Sequence, residues 1–347
     1  MRRLDALVQL LGPVALVVAV GILGSFLSRP RELEFREAIV AVAIVVALYI
    51  FVGNSGVLSF GQVSFVAVGA FAAGVMTVPV DQKPVIVPGL FPFLAHHSIG
   101  NAESLLLATG LGGVYAFLVG VPLMRLSGLA AGIATLAVLG VTHNILRNWN
   151  KISPGALTLS TVPETTDLLQ ATAGAVAVIV LAFAYQRSRF GRQLRAARED
   201  PAAAQAAGID IHRQRLWAFT LSGALSGFAG GLYVHFLGTL STEDVYLELT
   251  FLTLAMLVVG GISSLWGAVV GALVVSGLDS FLLDAENGDV PGLNLPGGSR
   301  LIAVGAFMAI VLVFMPSGLT RGHEFSLPLG RLRHRRFGLF AKPSRQP

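Results

Sequence analysis

Cysteine is absent from this chain, and charged residues are scarce. None of the 347 residues is cysteine, and only 12% are Asp, Glu, Lys or Arg. The first absence excludes disulfide bonds, thiol catalysis and cysteine metal sites. Soluble domains carry about 25% charged residues. The low charge, with a mean hydropathy of +0.75, therefore predicts an all-α polytopic integral membrane protein.

Motifs for nucleotide hydrolysis and other enzyme chemistry are also missing. The three lysines, Lys83, Lys151 and Lys342, do not close a GxxxxGK[ST] phosphate loop, and the chain has no HExxH or GxSxG motif. Within the apolar segments the only acidic candidate at depth is Asp279. We therefore expect no enzyme activity and no bound cofactor or metal. A proton-driven carrier, which needs titratable groups in the membrane, is disfavoured.

Ten apolar segments approach the length of about 20 residues that crosses a bilayer as a helix. They are 6–28, 38–53, 57–78, 104–123, 127–147, 171–186, 215–238, 247–262, 265–284 and 299–316. The first is interpreted as a retained helix because SRPRELEFRE follows it, not a small-residue cleavage site. We expect one transmembrane domain over 1–347, with a cytoplasmic loop at 187–214 and a basic cytoplasmic tail at 317–347.

Basic residues divide unequally between the two sides of this topology. With the N-terminus inside, 17 of the 24 lie in cytoplasmic segments and 7 in external ones. Because positive charge favours the cytoplasmic side, both termini are predicted to be cytoplasmic. Membrane orientation also accounts for the net charge of +5, so we expect lipid and not nucleic acid as the surrounding partner. The segment 29–37, with three arginines, is placed outside as a loop.

Glycines interrupt the chain in two comparable places. LSFGQVSFVAVGAFAAG at 58–74 and LVVGGISSLWGAVVGALVV at 257–275 each contain a glycine break. Such pairs can mark inverted repeats or can be small-residue packing faces, and both interpretations stay open. Gly223, Gly227 and Gly231 are spaced four apart and predict a close helix crossing.

The stretch REDPAAAQAAGID predicts a short helix in the 187–214 loop. Asp200 can cap it, Pro201 suits its first turn and Gly208 supplies a left-handed stop, after which Ile209 can pack back. Two turns are too few for independent stability, so the helix must lie in a partner's groove or against its own chain. The expected contact residues are Arg195, Arg198, Glu199, Asp200, Ala203, Ala204, Ala207, Gly208 and Ile209.

Uncharged polar side chains near the first glycine break and in the fifth segment are candidates for a substrate pathway. They can hydrogen-bond a solute without placing charge in the membrane. The alternative is that they are polar contacts between helices. The candidates are Ser59, Gln62, Ser64, Thr135 and Asn144.

Several of these stretches together resemble the LivM-type permeases of branched-chain amino acid ABC importers. The resemblance is carried by LSFGQVSFVAVGAFAAG, by RSRFGRQLRAAREDPAAAQAAGIDIHRQRLWAFTLSGALSGFAGGLYVHFLG, by ELTFLTLAMLVVGGISSLWGAVVGAL and by VFMPSGL, across most of 38–320. It implies import of branched-chain or similar hydrophobic amino acids. The implied partners are a related second permease, two cytoplasmic ATPase subunits that use ATP, and an extracytoplasmic binding protein.

The chain departs from that family pattern at two places. Ala130-Ala131 replaces an aromatic pair, and ISPGALTLS replaces a TGG-type turn in an external loop. Both lie where substrate could pass, so urea, short amides or another amino acid stay open as substrates. A self-sufficient secondary transporter and a non-transporting membrane protein are the competing functions. The resemblance also implies that the helix at 201–207 docks into the ATPase.

Overall fold

A computed structural model describes residues 2–290 and 295–325. Across these ranges the regular structure is helical, apart from one isolated bridge between Leu159 and Leu240. The predicted all-α class is therefore confirmed. Most of the predicted basic tail at 317–347 lies outside the described residues.

The helices follow one another in this order: α1 Arg2–Ser25, α2 Arg29–Ser55, α3 Gln62–Thr77, α4 Lys83–Ile86, α5 Pro92–Ala95, α6 Asn101–Leu123, α7 Gly128–Asn148, α8 Leu168–Arg187, α9 Arg189–Glu199, α10 Pro201–Ala206, α11 Ile211–Leu237, α12 Leu247–Gly260, α13 Leu265–Asn287 and α14 Ser299–Phe314. Each of the ten predicted segments matches one of them: α1, α2, α3, α6, α7, α8, α11, α12, α13 or α14.

Six of the described helices are long and apolar enough to cross a membrane, and α3, α12 and α14 are shorter apolar helices. The remaining match, α11, is 27 residues long and contains several glycines and hydroxyl residues. The chain is an integral membrane protein, and its helices differ in length because breaks interrupt the bundle.

Two predicted boundaries are wrong. Residues 29–37, expected to form a loop, are the first turns of α2. Pro30 suits the first turn of a helix, and Arg36 forms an ion pair of 2.6 Å with Glu32 one turn away, so the charges are compatible with a helix. Residues 57–61, expected to begin the third span, precede α3 as non-helical backbone.

Both glycine-interrupted segments contain a helix break in the structure. The first break covers residues 56–61, between α2 and α3, and the second covers 261–264, between α12 and α13. Their relation as inverted repeats stays a prediction.

The core of the bundle is α2, whose residues from Ala38 to Ser55 are almost all buried, together with α11 packed against it, α3 and α6. The glycine face of α11 makes this packing close, as predicted. A Cβ on Gly227 would overlap the carbonyl oxygen of Ala108 in α6, and one on Gly69 would overlap the carbonyl oxygen of Gly227. Such backbone contact is typical of membrane helices, where dispersion drives association.

One polar contact between neighbouring helices lies at each end of the bundle. At one end Asn101 Nδ2 donates to Gln170 Oε1 at 2.9 Å, joining the starts of α6 and α8. At the other, Arg215 Nη1 donates to the carbonyl oxygen of Leu126 at 3.5 Å, joining the start of α11 to the connection between α6 and α7. In both cases the paired segments are ones that the sequence topology placed on the same side. The loop 187–214 and residues 315–325 share the second end, here called the α10 end.

Candidate functional site

The α9–α10 hairpin is built from three successive side-chain caps. Ser188 Oγ accepts from the Gly191 amide at 3.2 Å, and Asp200 Oδ1 accepts from the Ala203 amide at 2.9 Å. Asp210 caps α11 in the same way. These caps satisfy amide groups that have no partner within their own helix. The predicted helix after Asp200 is confirmed, and α9 before it was not predicted.

The end of α10 also follows the predicted geometry. Gly208 has φ of +78°, in the left-handed region that favours glycine. The Ile209 amide then donates to the Ala204 carbonyl at 3.0 Å, a helix-ending bond of the Schellman type. Ile209 packs partly buried against a small cluster of Ala197, Ala204 and Ile211.

Ala204 points into the hairpin and not toward a partner. It is 5% exposed, whereas the other α10 residues and Ala207 are exposed. A methyl group at this position fills the space between α9 and the start of α11. The expectation that Ala204 contacts a partner is therefore wrong. The outward face of α10, centred on Ala202 and Ala206 opposite Ala204, is the part available for docking.

Two arginines that were expected to flank the docking surface bind the chain's own backbone. Arg198 Nη1 donates to the Gly53 carbonyl at 2.6 Å, at the end of α2. Arg195 donates to the Gln186 carbonyl at the end of α8, and the Gln186 side chain accepts from the Tyr49 hydroxyl at 2.8 Å. A cation is favourable at a helix C-terminus. The hairpin is thus anchored to the buried core helix α2. Glu199 and Asp200 remain exposed.

A second polar region surrounds the break before α3. Gln62 Nε2 donates to Ser222 Oγ at 2.7 Å, and Ser222 Oγ donates to the Ala47 carbonyl at 2.6 Å. Thr135 Oγ1 accepts from the Phe60 amide at 3.1 Å and so ties the break to α7. The network joins α2, α3 and α11. Four of the predicted pathway residues, Ser59, Gln62, Ser64 and Thr135, are buried in this region.

Several polar atoms of this region have no hydrogen-bond partner among the described residues. They are Ser59 Oγ, Gln62 Oε1, Asn54 Oδ1 and Ser226 Oγ. Because buried polar atoms are normally bonded to protein or water, these atoms can interact with water or with a polar solute. Ser64 differs, since its hydroxyl donates to the Gly61 carbonyl within the first turn.

Asn144 is not part of this polar region. It lies nine residues beyond Thr135 on α7, about 13 Å along the axis, and it is exposed. Its Nδ2 donates to the Gly140 carbonyl at 2.9 Å. It belongs to a stripe of exposed residues on α7 that also includes Leu129, Ile133 and Val141. The structure therefore separates Asn144 from the other four candidates.

Ser222 is a residue of this region that the sequence did not single out. It directly precedes Gly223, in the glycine-rich part of α11. That glycine spacing was interpreted only as packing. The sequence feature that could have identified Ser222 is a hydroxyl residue beside a face of small residues, because polar side chains can hydrogen-bond across closely packed helices.

We expect Gln62→Ala to lower solute uptake at least fivefold, which corresponds to roughly 1 kcal/mol of lost interaction free energy. The substitution removes the side-chain amide, whose nitrogen donates to Ser222 and whose oxygen has no partner among the described residues. Uptake and the amount of assembled protein would be measured together. Thr109→Ala is the matched control, since its hydroxyl donates only to the Leu105 carbonyl of its own helix. Unchanged uptake in Gln62→Ala would remove this residue from the pathway.

Comparison with known proteins gives a family match. Residues 35–316 match the model of the family described as branched-chain amino acid transport system / permease component. The chain is 25% identical over 307 residues to the high-affinity branched-chain amino acid transport system permease protein LivM of Escherichia coli, covering 78% of this chain. It spans 65% of that relative's length.

Other relatives carry different names. The autoinducer 2 import system permease protein LsrC of an Enterobacter species is 28% identical over 329 residues, covering 88% of this chain and 93% of LsrC. A probable branched-chain amino acid transport permease protein LivH of Methanocaldococcus jannaschii is 32% identical over 136 residues, 39% of this chain and 41% of its own. No solved structure matches the chain.

Proposed function

The chain belongs to the family of branched-chain amino acid transport system permease components, and from this premise we propose that it is the permease subunit of an ABC importer. It would move branched-chain or similar hydrophobic amino acids into the cell. Separate ATPase subunits would supply the energy, a related permease would complete the channel, and an extracytoplasmic protein would deliver the substrate. The chain would bind no nucleotide itself.

The observation that carries this proposal is the α9–α10 hairpin. Its outward face presents alanine side chains that allow close approach of another surface, while Arg198 joins its inward side to the end of α2. A force applied to α10 would therefore reach the buried core of the bundle through a short, charge-assisted hydrogen bond. A subunit that is driven from outside needs such a connection.

Reconstitution of the full chain with its partner permease, ATPase subunits and binding protein tests the function. We expect uptake of labelled leucine, isoleucine or valine that requires ATP and all partners. Uptake driven by an ion gradient in the absence of ATP would replace the proposal with a secondary transporter. ATP hydrolysis stimulated by no tested solute would favour a non-transporting role.

The substrate is tested with a wider panel. Urea and acetamide represent the alternatives left by the two departures from the family pattern. Autoinducer 2 represents the relation to LsrC, which aligns over more of both chains than LivM does. Competition of leucine uptake by one of these at equal concentration would shift the substrate class while leaving the importer function intact.

The sidedness of the bundle gives a separate prediction. We expect the α10 end to face the cytoplasm of a bacterial inner membrane, because 17 of 24 basic residues lie in segments predicted on that side. A reporter fused after Arg192 would read as cytoplasmic, and one fused after Glu286 as external. Each fusion serves as the control for the other, because the same protein carries the reporter at two positions that are expected to lie on opposite sides of the membrane. External activity at Arg192 would reverse the topology.

A further inference from the structure

A cavity of about 190 Å³ lies at the end of the bundle opposite α10, between α2, α11, α12 and α13. Its described lining is strongly acidic, with five carboxylates and one arginine. They are Glu34, Glu37, Asp244, Glu248, Asp279 and Arg300. The arginine is already engaged, because its Nε lies 3.3 Å from Asp279 Oδ1. The cavity is therefore suited to a positively charged group.

A buried hydroxyl points to a ligand in this cavity. Ser276 lines it one turn deeper than Asp279 on α13, and is only 7% exposed. Its Oγ has no hydrogen-bond partner among the residues that the structure describes. A serine in a helix commonly bonds to its own backbone, so an unpaired hydroxyl here can bond to a ligand. Deeper still, Ile44, Leu252 and Met256 make the lining apolar.

A second cavity of about 500 Å³ adjoins the first, and the two share Glu34, Ala38 and Ser280. It is a groove between α1, α2 and α13. Its apolar lining consists of Val20, Leu27, Phe35, Ala38, Leu273, Gly277 and Phe281. Arg31, Glu34 and Asp284 lie at its charged end. An apolar groove leading to a charged pocket fits a molecule with a hydrocarbon chain and a polar head.

We propose that the two cavities together hold one phospholipid with a primary ammonium head group, of the ethanolamine class. The ammonium lies among the carboxylates of the first cavity, the phosphate lies near Arg31, and an acyl chain fills the groove. Three N–H donors of a primary ammonium can each bond to a carboxylate or hydroxyl oxygen. A choline head group has no such donors, and a glycerol head group has no positive charge.

A bare metal ion fits these residues less well. Among the described residues, no group of three His, Cys, Asp or Glu side chains is placed to hold a metal ion. The apolar groove beside the carboxylates would add nothing to the binding of an ion. A lipid uses both parts.

Binding of defined lipids to the delipidated full chain in detergent tests the proposal. Palmitoyl-oleoyl lipids with ethanolamine, choline or glycerol head groups would be added separately. Native mass spectrometry would count bound lipids, and thermal melting would measure stabilisation. We expect the ethanolamine lipid to bind roughly tenfold more tightly than the other two, the effect of about one charge-assisted hydrogen bond. Equal binding of all three would overturn the proposal.

Variants locate the site. Glu34→Gln and Glu37→Gln should each reduce the preference for ethanolamine severalfold, whereas Asp289→Asn should keep it. Asp289 is an exposed acidic residue at the same end that lines neither cavity. If Asp289→Asn abolished the preference as strongly as Glu37→Gln, general surface charge would be the cause and the site would be wrong.

The groove is tested with Gly277→Leu. A Cβ at Gly277 would meet no atom within 4 Å, so the variant can fold and still fill the groove. We expect this variant to bind the ethanolamine lipid more weakly than wild type does. In a second experiment on wild type, free glycerophosphoethanolamine, which has the head group without acyl chains, should displace the lipid only at a far higher concentration. Competition at equal concentration would show that the acyl chain contributes nothing, and would overturn a lipid as the occupant.

Discussion

Ala206→Trp is expected to abolish ATP-driven uptake while the amount of folded permease stays unchanged. Ala206 lies on the exposed face of α10, opposite the buried Ala204. A tryptophan there would prevent close approach of the ATPase, and overpacking a fitted contact costs about 1–3 kcal/mol. At the upper end, ATPase affinity falls about a hundredfold. Uptake into vesicles and co-purification of the ATPase measure the two effects.

The matched control is Ala306→Trp, a substitution at an exposed alanine in the middle of α14. It makes the same change in size on a surface that is far from the hairpin in the chain, and it should retain uptake. Ala204→Trp would be a poor test of docking, because it would disrupt the packing between Ala197 and Ile211. Full uptake by Ala206→Trp with the ATPase still bound would show that α10 is not the docking element.

Gly227→Val is expected to destabilise the folded bundle strongly. The added Cβ would overlap the carbonyl oxygen of Ala108, a backbone atom that cannot move without shifting α6. We expect a loss of roughly 3 kcal/mol or more, seen as a severalfold lower yield of monodisperse protein in detergent and a lower melting temperature. The contact joins α11 to α6 and, through Gly69, to α3.

Gly110→Val provides the comparison for this prediction. Gly110 is also inside a long helix, α6, but a Cβ there would meet no atom within 4 Å. The same substitution should change stability by only a few tenths of a kcal/mol, the difference in helix propensity. If both variants lowered the yield equally, the loss would come from the chemistry of valine in a helix and not from the close helix contact.

Local features of the site could be predicted from the sequence. Asp200, Pro201 and Gly208 specify a helix start and stop through bonds to residues three to five positions away, and the structure has these bonds. The apolar segments likewise predict helices, because each helix satisfies its own backbone groups in a membrane. The resemblance to a permease family is confirmed by the family match over 35–316.

The orientation of α10 could not be predicted in this way. Five of the residues from 202 to 207 are alanine, so the helix has no apolar face that distinguishes one alanine from another. Only the packing of Ala204 against Ala197 and Ile211 decides which side faces inward. The contact of Arg198 could not be predicted either. The local sequence places this residue in a water-facing loop, whereas its partner Gly53 lies 145 residues away in the chain.

By itself, the sequence determined the membrane class, the ten apolar helices and the capped loop, because these follow from composition and from interactions within a few residues. The family likewise followed from stretches of the sequence that can be compared without a structure. The tertiary structure alone decided which polar groups meet. It joined Gln62 to Ser222, left Asn144 apart, and brought carboxylates from α2, α12 and α13 around one cavity. Such contacts join residues far apart in the chain, and their geometry depends on how closely small residues allow the helices to pack.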